Sequence, residues 1–303
     1  MTVSSVDSSP EMPSGSRLLQ CGNRELDLSA AKVMGVLNIT PDSFSDGGLY
    51  LQADTLSLDK VLARVEQMLA EGAAIIDVGG ESTRPGAEPV SGQREMDRVL
   101  PVVEAIADRF DTVISVDTSS PELMMAAATA GAGLINDVRA LEREGAVTAA
   151  ASTGLPVCLM HMQGQPADMQ ENPSYTDVVD EVAGYLSGRA GVCVKAGIPL
   201  SSILVDPGFG FGKTLEHNLR LLNRLPQLLD LGFPVLVGLS RKSLIGKVLG
   251  RDVDRRLAGS LSLAVIAAAR GASIVRCHDV AETADALKML ECVQMERFSQ
   301  APV

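Results

Sequence analysis

One short unit recurs along the chain from Val33 to its end and limits the folds open to it. A run of β-branched and other apolar residues is followed by a polar or glycine-rich loop and then by a stretch with helical apolar spacing. The runs are apolar at consecutive positions, which is typical of parallel strands covered by helices. Eight strands are predicted: Val33–Leu37, Ile75–Val78, Val113–Val116, Leu134–Asn136, Val157–Met160, Ile203–Val205, Val235–Val237 and Ile274–Cys277.

Helices are predicted between these strands, and the repeat favours an α/β chain folded as a single (β/α)₈ TIM barrel. A doubly wound sheet is the alternative, but it calls for an early glycine-rich dinucleotide turn that this sequence lacks. We expect a flexible tail over residues 1–24, dispensable up to about Gly22, the barrel over 25–295 and a C-terminal tail over 296–303. The predicted helices are Leu58–Glu71, Gln93–Phe110, Pro121–Ala130, Thr176–Ala196, Leu215–Leu225, Asp254–Arg270 and Val280–Met295.

A polar residue or a glycine stands at, or directly after, the end of every predicted strand. The carboxyl ends of barrel strands converge on one mouth, where barrel enzymes place their chemistry. A polar residue after any single strand is also typical of a turn or a helix cap, but a set of eight predicts an active-site mouth. The strand ends are Asn38, Gly79–Glu81, Asp117, Asn136, His161, Asp206, Gly238–Ser240 and His278.

The net charge limits the binding partners that fit this chain, and the cysteine content limits the cellular compartment. The formal net charge of −12 and the aromatic content of 3% argue against a nucleic-acid or anionic-membrane partner. Five scattered cysteines predict buried thiols in a reducing cytoplasm rather than a disulfide framework. No apolar run is long enough for a membrane span, and the N-terminus lacks a signal-peptide core. The histidine spacing does not resemble a zinc site.

Cations follow the last two predicted strands, at Arg241-Lys242 and at Arg276 and His278. Barrel enzymes often bind phosphate at this pair of loops, so the sequence predicts an anionic substrate. Asp279 is predicted to cap the following helix. For His217 a structural hydrogen bond is the better interpretation.

The glycine-rich segment Asp206–Thr214 is similar to a P-loop but is one residue too short for that motif. We interpret it as a tight loop whose backbone approaches a flat ligand, with one of Phe209 and Phe211 packing on the ligand and the other in the core.

Long motifs in order along the chain resemble the dihydropteroate synthases, from about Leu26 to Met289. They include GVLNITPDSFSDGG at Gly35–Gly48, GAAIIDVGGESTRPGA at Gly72–Ala87, LVDPGFGFGKT at Leu204–Thr214 and VGLSRKSLIG at Val237–Gly246. The resemblance implies a transferase of folate biosynthesis and sulfonamide target. Its reaction condenses 6-hydroxymethyl-7,8-dihydropterin diphosphate with 4-aminobenzoate to give dihydropteroate and diphosphate, with Mg²⁺ as cofactor.

The resemblance also implies residue roles. The metal ligand would be Asn38, and the catalytic set would be Asp42, Arg84, Lys242, Arg276 and His278. The pterin would be held by Asp117, Asn136, Met160, Asp206, Phe211 and Lys242, with Arg276 and His278 on the diphosphate. The aminobenzoate pocket would be lined by Phe44, Thr83, Pro85, Phe211 and Ser240.

Two rivals stay open at this point. A methyl-transferring pterin-binding barrel would have no use for a diphosphate site, and a non-catalytic paralogue would be expected to lose Asn38, Asp42 or Arg84. The apolar later helices, such as Leu261–Ala269, would fit barrel packing alone, whereas the resemblance implies a homodimer through that side.

Overall fold

The computed structural model describes residues 18–40, 51–52, 55–82, 90–165 and 168–296. The strands in these ranges are β1 (Leu18–Cys21), β2 (Arg24–Asp27), β3 (Lys32–Asn38), β4 (Leu51–Gln52), β5 (Thr55–Leu56), β6 (Ile75–Gly79), β7 (Val113–Asp117), β8 (Leu134–Asp137), β9 (Val157–Met160), β10 (Ile203–Asp206), β11 (Leu236–Gly238) and β12 (Ile274–Cys277). The α-helices are α1 (Leu58–Ala70), α2 (Gly92–Arg109), α3 (Pro121–Thr129), α4 (Ala146–Thr153), α5 (Val178–Lys195), α6 (Leu215–Asn223), α7 (Leu225–Leu229), α8 (Ser243–Leu249), α9 (Leu257–Ala269) and α10 (Val280–Met295).

Eight parallel strands form the barrel in the order β10-β9-β8-β7-β6-β3-β12-β11. A parallel bridge between Val205 and Val235 joins the two outer strands, and the Val205 amide donates to the Pro234 carbonyl at 3.1 Å. The sheet therefore closes on itself, and the predicted (β/α)₈ barrel is confirmed.

Alternation along the strands separates the barrel interior from its outer surface. Side chains on successive strand residues point to opposite faces, and the outward ones pack under the helices in one large core. A second, smaller core fills the lower interior, which is the part of the barrel at the amino ends of its strands. Each barrel strand contributes one buried residue to it: Met34, Ile75, Val113, Leu134, Cys158, Leu204, Leu236 and Ile274.

The hairpin of β1 and β2 closes the lower end of the barrel. Leu19, Cys21 and Leu26 are at most 6% exposed and belong to the same core as the lower interior residues. The expectation of a flexible tail up to residue 24 is therefore wrong for residues 18–24. The apolar side chains of this segment alternate along a strand and pack against the lower end of the barrel. The described part of the chain begins at Leu18, the first residue of β1.

All eight predicted barrel strands are confirmed, and the helices differ in detail. The predicted helix Leu215–Leu225 ends at Asn223, and a separate short helix begins at Leu225, where Pro226 has no amide hydrogen to continue the first. The short helices α4 and α8 were not predicted. Asp279 lies at the start of α10, but its side chain does not bond the helix amides; it pairs with Arg241 instead.

Candidate active site

The mouth is built from the inward-facing residues above the lower interior core. Two residues farther along each strand, the next inward positions are Val36, Asp77, Ser115, Asn136, Met160, Asp206, Gly238 and Arg276. Another two residues on lie Asn38, Gly79 and Asp117, and past the ends of β11 and β12 lie Ser240 and His278. Polar groups thus replace apolar ones toward the carboxyl ends. Of the predicted strand-end residues, Asn38, Asp117, Asn136, Asp206, Ser240 and His278 lie at this end of the barrel.

Arg276 links two carboxylates at the centre of this layer. Its Nε donates to Asp77 Oδ2 at 2.5 Å and its Nη2 donates to Asp117 Oδ2 at 3.0 Å. Asn136 Nδ2 lies 3.4 Å from both oxygens of Asp77. The guanidinium is therefore held in one plane by two partners on different strands, and its orientation is set before any ligand arrives.

The buried charges of this cluster shift one another's protonation. Burial and the neighbouring Asp77 carboxylate raise the pKa of Asp117, and Arg276 opposes the rise only in part. Burial disfavours the Arg276 cation, yet Asp77 and Asp117 outweigh it and raise the pKa of Arg276. Clusters of perturbed groups in a cleft mark functional sites.

Asp77 was missed in the sequence analysis, although it is fully buried and holds both Arg276 and Asn136. The signal was an acidic residue inside an otherwise apolar strand, Ile75-Ile76-Asp77-Val78. A buried carboxylate requires a partner, and such a residue is therefore worth assigning to a site from sequence alone.

Asp206 ends β10 with a buried carboxylate next to the glycine-rich loop. Its Oδ1 accepts a hydrogen bond from the Gly208 amide at 2.7 Å. Burial raises the pKa of Asp206, and the Lys242 cation and the Gly208 amide oppose that rise. A Cβ at Gly208 would overlap the His161 carbonyl oxygen, and Gly208 has a φ of 67°. Glycine is therefore required there, and the loop lies against the end of β9.

Lys242 and Phe211 meet on the other side of the same loop. The Lys242 ammonium donates to the Phe209 carbonyl and lies 4.5 Å from the centroid of the Phe211 ring. Phe209 is fully buried and Phe211 is partly exposed. The prediction that one ring belongs to the core and the other faces the site is consistent with this placement.

Open space lies at the inward position of β11. A Cβ added to Gly238 would have no atom of the described residues within 4 Å. The Ser115 hydroxyl, on β7, is buried and has no hydrogen-bond partner among the described residues. The open space at Gly238 and the Ser115 hydroxyl lie at the level of the charged cluster. Together they indicate a pocket that accepts a polar ligand.

Ser240 and His278 lie together above β11 and β12. Ser240 Oγ is 3.1 Å from His278 Nδ1, and the His278 amide donates to the same hydroxyl at 3.3 Å. Asn38 ends β3 on the far side of β12, and its side chain makes no hydrogen bond within the described ranges. Across these strand ends a hydroxyl, an imidazole, a guanidinium and an ammonium converge, which suits a polyanion.

Lys213, which the sequence analysis also missed, anchors the glycine-rich loop from beneath. Its ammonium lies 2.9 Å from His161 Nδ1 and donates to the carbonyls of Phe211 at 2.8 Å and Gly208 at 3.0 Å. Burial, with the nearby Lys213 charge, lowers the pKa of His161 to about 3. The neutral ring therefore accepts at Nδ1, and His161 is a packing and hydrogen-bonding residue. His217 caps α6 with Thr214, as the structural interpretation predicts.

Five predicted site residues, Asp42, Phe44, Thr83, Arg84 and Pro85, lie outside the described residues. Within those residues, no cluster of three or more histidine, cysteine or acidic side chains is placed to hold a metal. None of the helices described combines the length and apolar character that a membrane crossing requires. All five cysteines are free thiols.

Comparisons with known proteins agree on one family. Residues 34–278 match the pterin-binding enzyme family. Dihydropteroate synthases are similar in sequence: that of Haemophilus influenzae is 53% identical over 89% of this chain and 97% of its own length, and that of Escherichia coli K12 is 55% identical over 88% and 93%.

Solved structures give the same result. The dihydropteroate synthase of Yersinia pestis, in complex with a sulfonamide drug, has a TM-score of 0.88 and 51% identity over 92% of this chain and 99% of its own. That of Xanthomonas albilineans, with 4-aminobenzoic acid, has a TM-score of 0.85 and 47% identity over the same shares. The chain therefore belongs to the pterin-binding enzymes and, within them, to the dihydropteroate synthases.

Proposed function

We propose that the dihydropteroate synthase reaction of this chain proceeds in the mouth formed by the strand-end residues. The reaction joins the methylene carbon of 6-hydroxymethyl-7,8-dihydropterin diphosphate to the amine of 4-aminobenzoate and releases diphosphate. One observation carries the assignment of roles: the acceptors Asp117, Asn136 and Asp206 and the donors Lys242 and Arg276 line the same mouth, with open space at Gly238 on the same level.

The pterin ring would lie between Asp206 and the Asp117–Asn136 side. The amino end of a pterin presents parallel N–H donors, which a carboxylate accepts in a bidentate manner. Asp206 supplies this acceptor, and Asn136 and Asp117 meet the remaining ring nitrogens. Lys242 donates to the ring from the loop side, while Met160 and Phe211 contact its faces.

The diphosphate would lie over Arg276, Ser240 and His278, with Arg84 closing on it. The side-chain oxygen of Asn38 fits Mg²⁺, because a single amide oxygen suits an ion that takes its other ligands from phosphate and water. Bound there, Mg²⁺ would neutralise charge on the leaving diphosphate. The residues of the chain orient the diphosphate and accept its growing charge.

Departure of diphosphate before attack fits this arrangement. The C–O bond breaks with its electron pair leaving on diphosphate, and the electron-rich dihydropterin stabilises the cation. The neutral arylamine then attacks, and its proton passes to solvent. Preorganised charge supplies most of the rate enhancement in such a route, so no strong base is needed. Asp42 would stabilise the cation or orient Arg84, and Phe44, Thr83, Pro85, Phe211 and Ser240 would line the aminobenzoate pocket.

Diphosphate release by the purified chain tests this proposal. We expect release from the pterin diphosphate that requires Mg²⁺, increases with 4-aminobenzoate and is matched by dihydropteroate formation. Pterin binding without diphosphate release under any condition would instead identify a non-catalytic pterin-binding protein. Transfer of a methyl group from a folate would identify the other rival.

We further propose that the chain works as a homodimer in the cytoplasm. The free thiols suit a reducing compartment. Apolar side chains on the outer face of α9 and α10 support self-association: Ile266 is 37% exposed, Met289 65% and Val293 69%. Light scattering should give twice the mass of one chain, and Val293→Asp should shift the protein to the monomer. A wild-type mass of one chain would contradict the homodimer.

A further inference from the structure

An ion pair joins the two loops that carry the proposed diphosphate site. Arg241 follows β11 and Asp279 follows β12. Arg241 Nε donates to Asp279 Oδ2 at 3.0 Å, and Arg241 Nη2 donates to Asp279 Oδ1. The two side chains are 33% and 14% exposed. The contact is therefore bidentate and partly shielded from water, unlike a typical surface ion pair.

The residues on either side of this pair belong to the site. Arg241 stands between Ser240 and Lys242, and Asp279 follows His278 directly. Arg241 has a φ of 57°, a left-handed conformation that is unusual for a residue with a side chain. At this turn Ser240 contacts His278 on the β12 side, whereas Lys242 reaches Phe209 on the β10 side. The conformation of Arg241 thus decides how its two neighbours face the mouth.

The backbone of Arg241 is held as firmly as its side chain. Its amide donates to Ser260 Oγ at 2.9 Å, and its carbonyl accepts from Arg256 Nη1 at 3.0 Å. Both partners lie on or next to α9. The guanidinium is therefore the part of Arg241 that connects the β11 loop to the β12 loop.

The Asp279 side chain binds Arg241 instead of capping helix α10. Asp279 lies directly before α10, at the N-cap position, where an aspartate normally accepts hydrogen bonds from helix amides. Its side chain makes no such bond, and its carboxylate instead receives the Arg241 guanidinium. A helix cap would stabilise α10 alone, whereas this contact fixes His278 relative to Ser240.

We propose that Arg241 and Asp279 are positioning residues for the diphosphate of the substrate. The pair sets the separation between Ser240 on one loop and Arg276 and His278 on the next. Neither member needs to touch the ligand for this purpose. The inference rests on the proposed function, because it assumes that these three side chains receive the diphosphate.

Separate binding measurements with the diphosphate half and the pterin half of the substrate distinguish a positioning role from general damage to the mouth. The variants are Arg241→Gln, Asp279→Asn and the double variant, with Arg241→Lys as the conservative change. Calorimetry with inorganic diphosphate in Mg²⁺, and separately with 6-hydroxymethyl-7,8-dihydropterin, gives a dissociation constant for each half. Arg24→Gln is the matched control, because Arg24 lies in the hairpin at the lower end of the barrel and pairs there with Asp111, which precedes β7, at 2.8 Å.

We expect each single variant to weaken diphosphate binding at least tenfold and to change pterin binding less than twofold. The double variant should lose no more than either single variant, because the two residues act as one unit. Arg241→Lys should bind diphosphate with intermediate affinity, and Arg24→Gln should bind both probes as the wild type does.

Two results would overturn the positioning role. Diphosphate binding within twofold of wild type in both single variants would show that the pair is only structural. An equal loss for pterin and diphosphate would show general damage to the mouth. A wild-type protein that binds no diphosphate in Mg²⁺ would contradict the proposed function itself, so the two failures are distinguishable.

Discussion

The charged residues at the centre of the mouth hold one another across different strands. Arg276 contacts Asp77 and Asp117, and Asp77 also contacts Asn136. Buried ion pairs add little to stability once the cost of desolvation is counted. Their value here is orientation, since a guanidinium fixed by two carboxylates does not need to reorganise when charge develops on a leaving group.

The Asp206 carboxylate should be essential for pterin binding. Asp206→Asn keeps the size of the side chain but replaces one acceptor oxygen with a donor, which faces the N–H groups of the ring. We expect a loss of about 2–5 kcal/mol, which is roughly thirtyfold or more in the dissociation constant measured by calorimetry with the pterin. Asp230→Asn, on the exposed surface, should have no effect. Near-wild-type affinity in Asp206→Asn would reject the assignment.

The protonation of Lys242 should make substrate binding depend on pH. Burial, with the nearby Arg276 charge, lowers the pKa of Lys242 to about 8, although Asp206 opposes the shift. In the free protein the Lys242 cation is therefore present below about pH 8 and is lost as the pH rises through that value. Affinity for the pterin diphosphate should fall above this pH.

Lys242→Arg provides the comparison, because arginine stays charged throughout this range. Titrations from about pH 7 to about pH 9.5 should show a steeper loss of affinity in the wild type than in Lys242→Arg. Other groups that titrate are common to both proteins, so the difference between the two curves reports Lys242 alone. Equal slopes would contradict the prediction.

At the scale of the elements, strand alternation is what turns eight separate strand ends into one pocket. Each barrel strand contributes an apolar residue to the lower interior and then, two residues later, a residue of the mouth. Glycine at position 238 is part of this arrangement, since every other strand places a side chain at that inward position. The inward position of β11 is therefore left open.

Filling the space at Gly238 should abolish binding without unfolding the protein. Gly238→Val adds a side chain where a Cβ would meet no atom of the described residues within 4 Å, so the free energy of unfolding should change by less than about 1 kcal/mol. Pterin binding should be lost because the side chain occupies the pocket. Gly184→Val is the matched control: Gly184, in α5, also faces open space and lies away from the mouth. Retained pterin affinity in Gly238→Val would place the pocket elsewhere.

At the scale of the whole molecule, the hairpin and the mouth occupy opposite ends of the same barrel. The hairpin buries Leu19, Cys21 and Leu26 against the lower interior core, and the mouth lies at the carboxyl ends of the same strands. The amino ends of the strands therefore contribute to stability, and the carboxyl ends form the proposed site, as is usual in barrels of this kind.

Truncation should reveal this division. Removal of residues 1–17 should leave the unfolding free energy unchanged, because this variant keeps Leu19, Cys21 and Leu26, the buried side chains of the hairpin. Removal of residues 1–28 exposes the lower core and should cost several kcal/mol, at about 1.5–3 kcal/mol for each buried apolar side chain lost. Urea denaturation of the two proteins measures the difference. Equal midpoints would show that the hairpin contributes nothing to stability.

Local patterns in the sequence determined the strands, the barrel and most of the mouth. An apolar run with a polar end predicts a buried strand whose last residues lie at the mouth of a barrel. The sequence alone therefore assigns Asn136, Asp206 and Arg276 to one end of the barrel. The hairpin did not follow from the sequence, since a four-residue strand such as Leu18–Cys21 is stable only on the surface that receives it. Only the tertiary structure paired Arg276 with Asp77, 199 residues away in the chain, and buried Lys213 beneath the glycine-rich loop. Such contacts depend on which strands become neighbours and in what register, and those are properties of the closed barrel that no short segment carries.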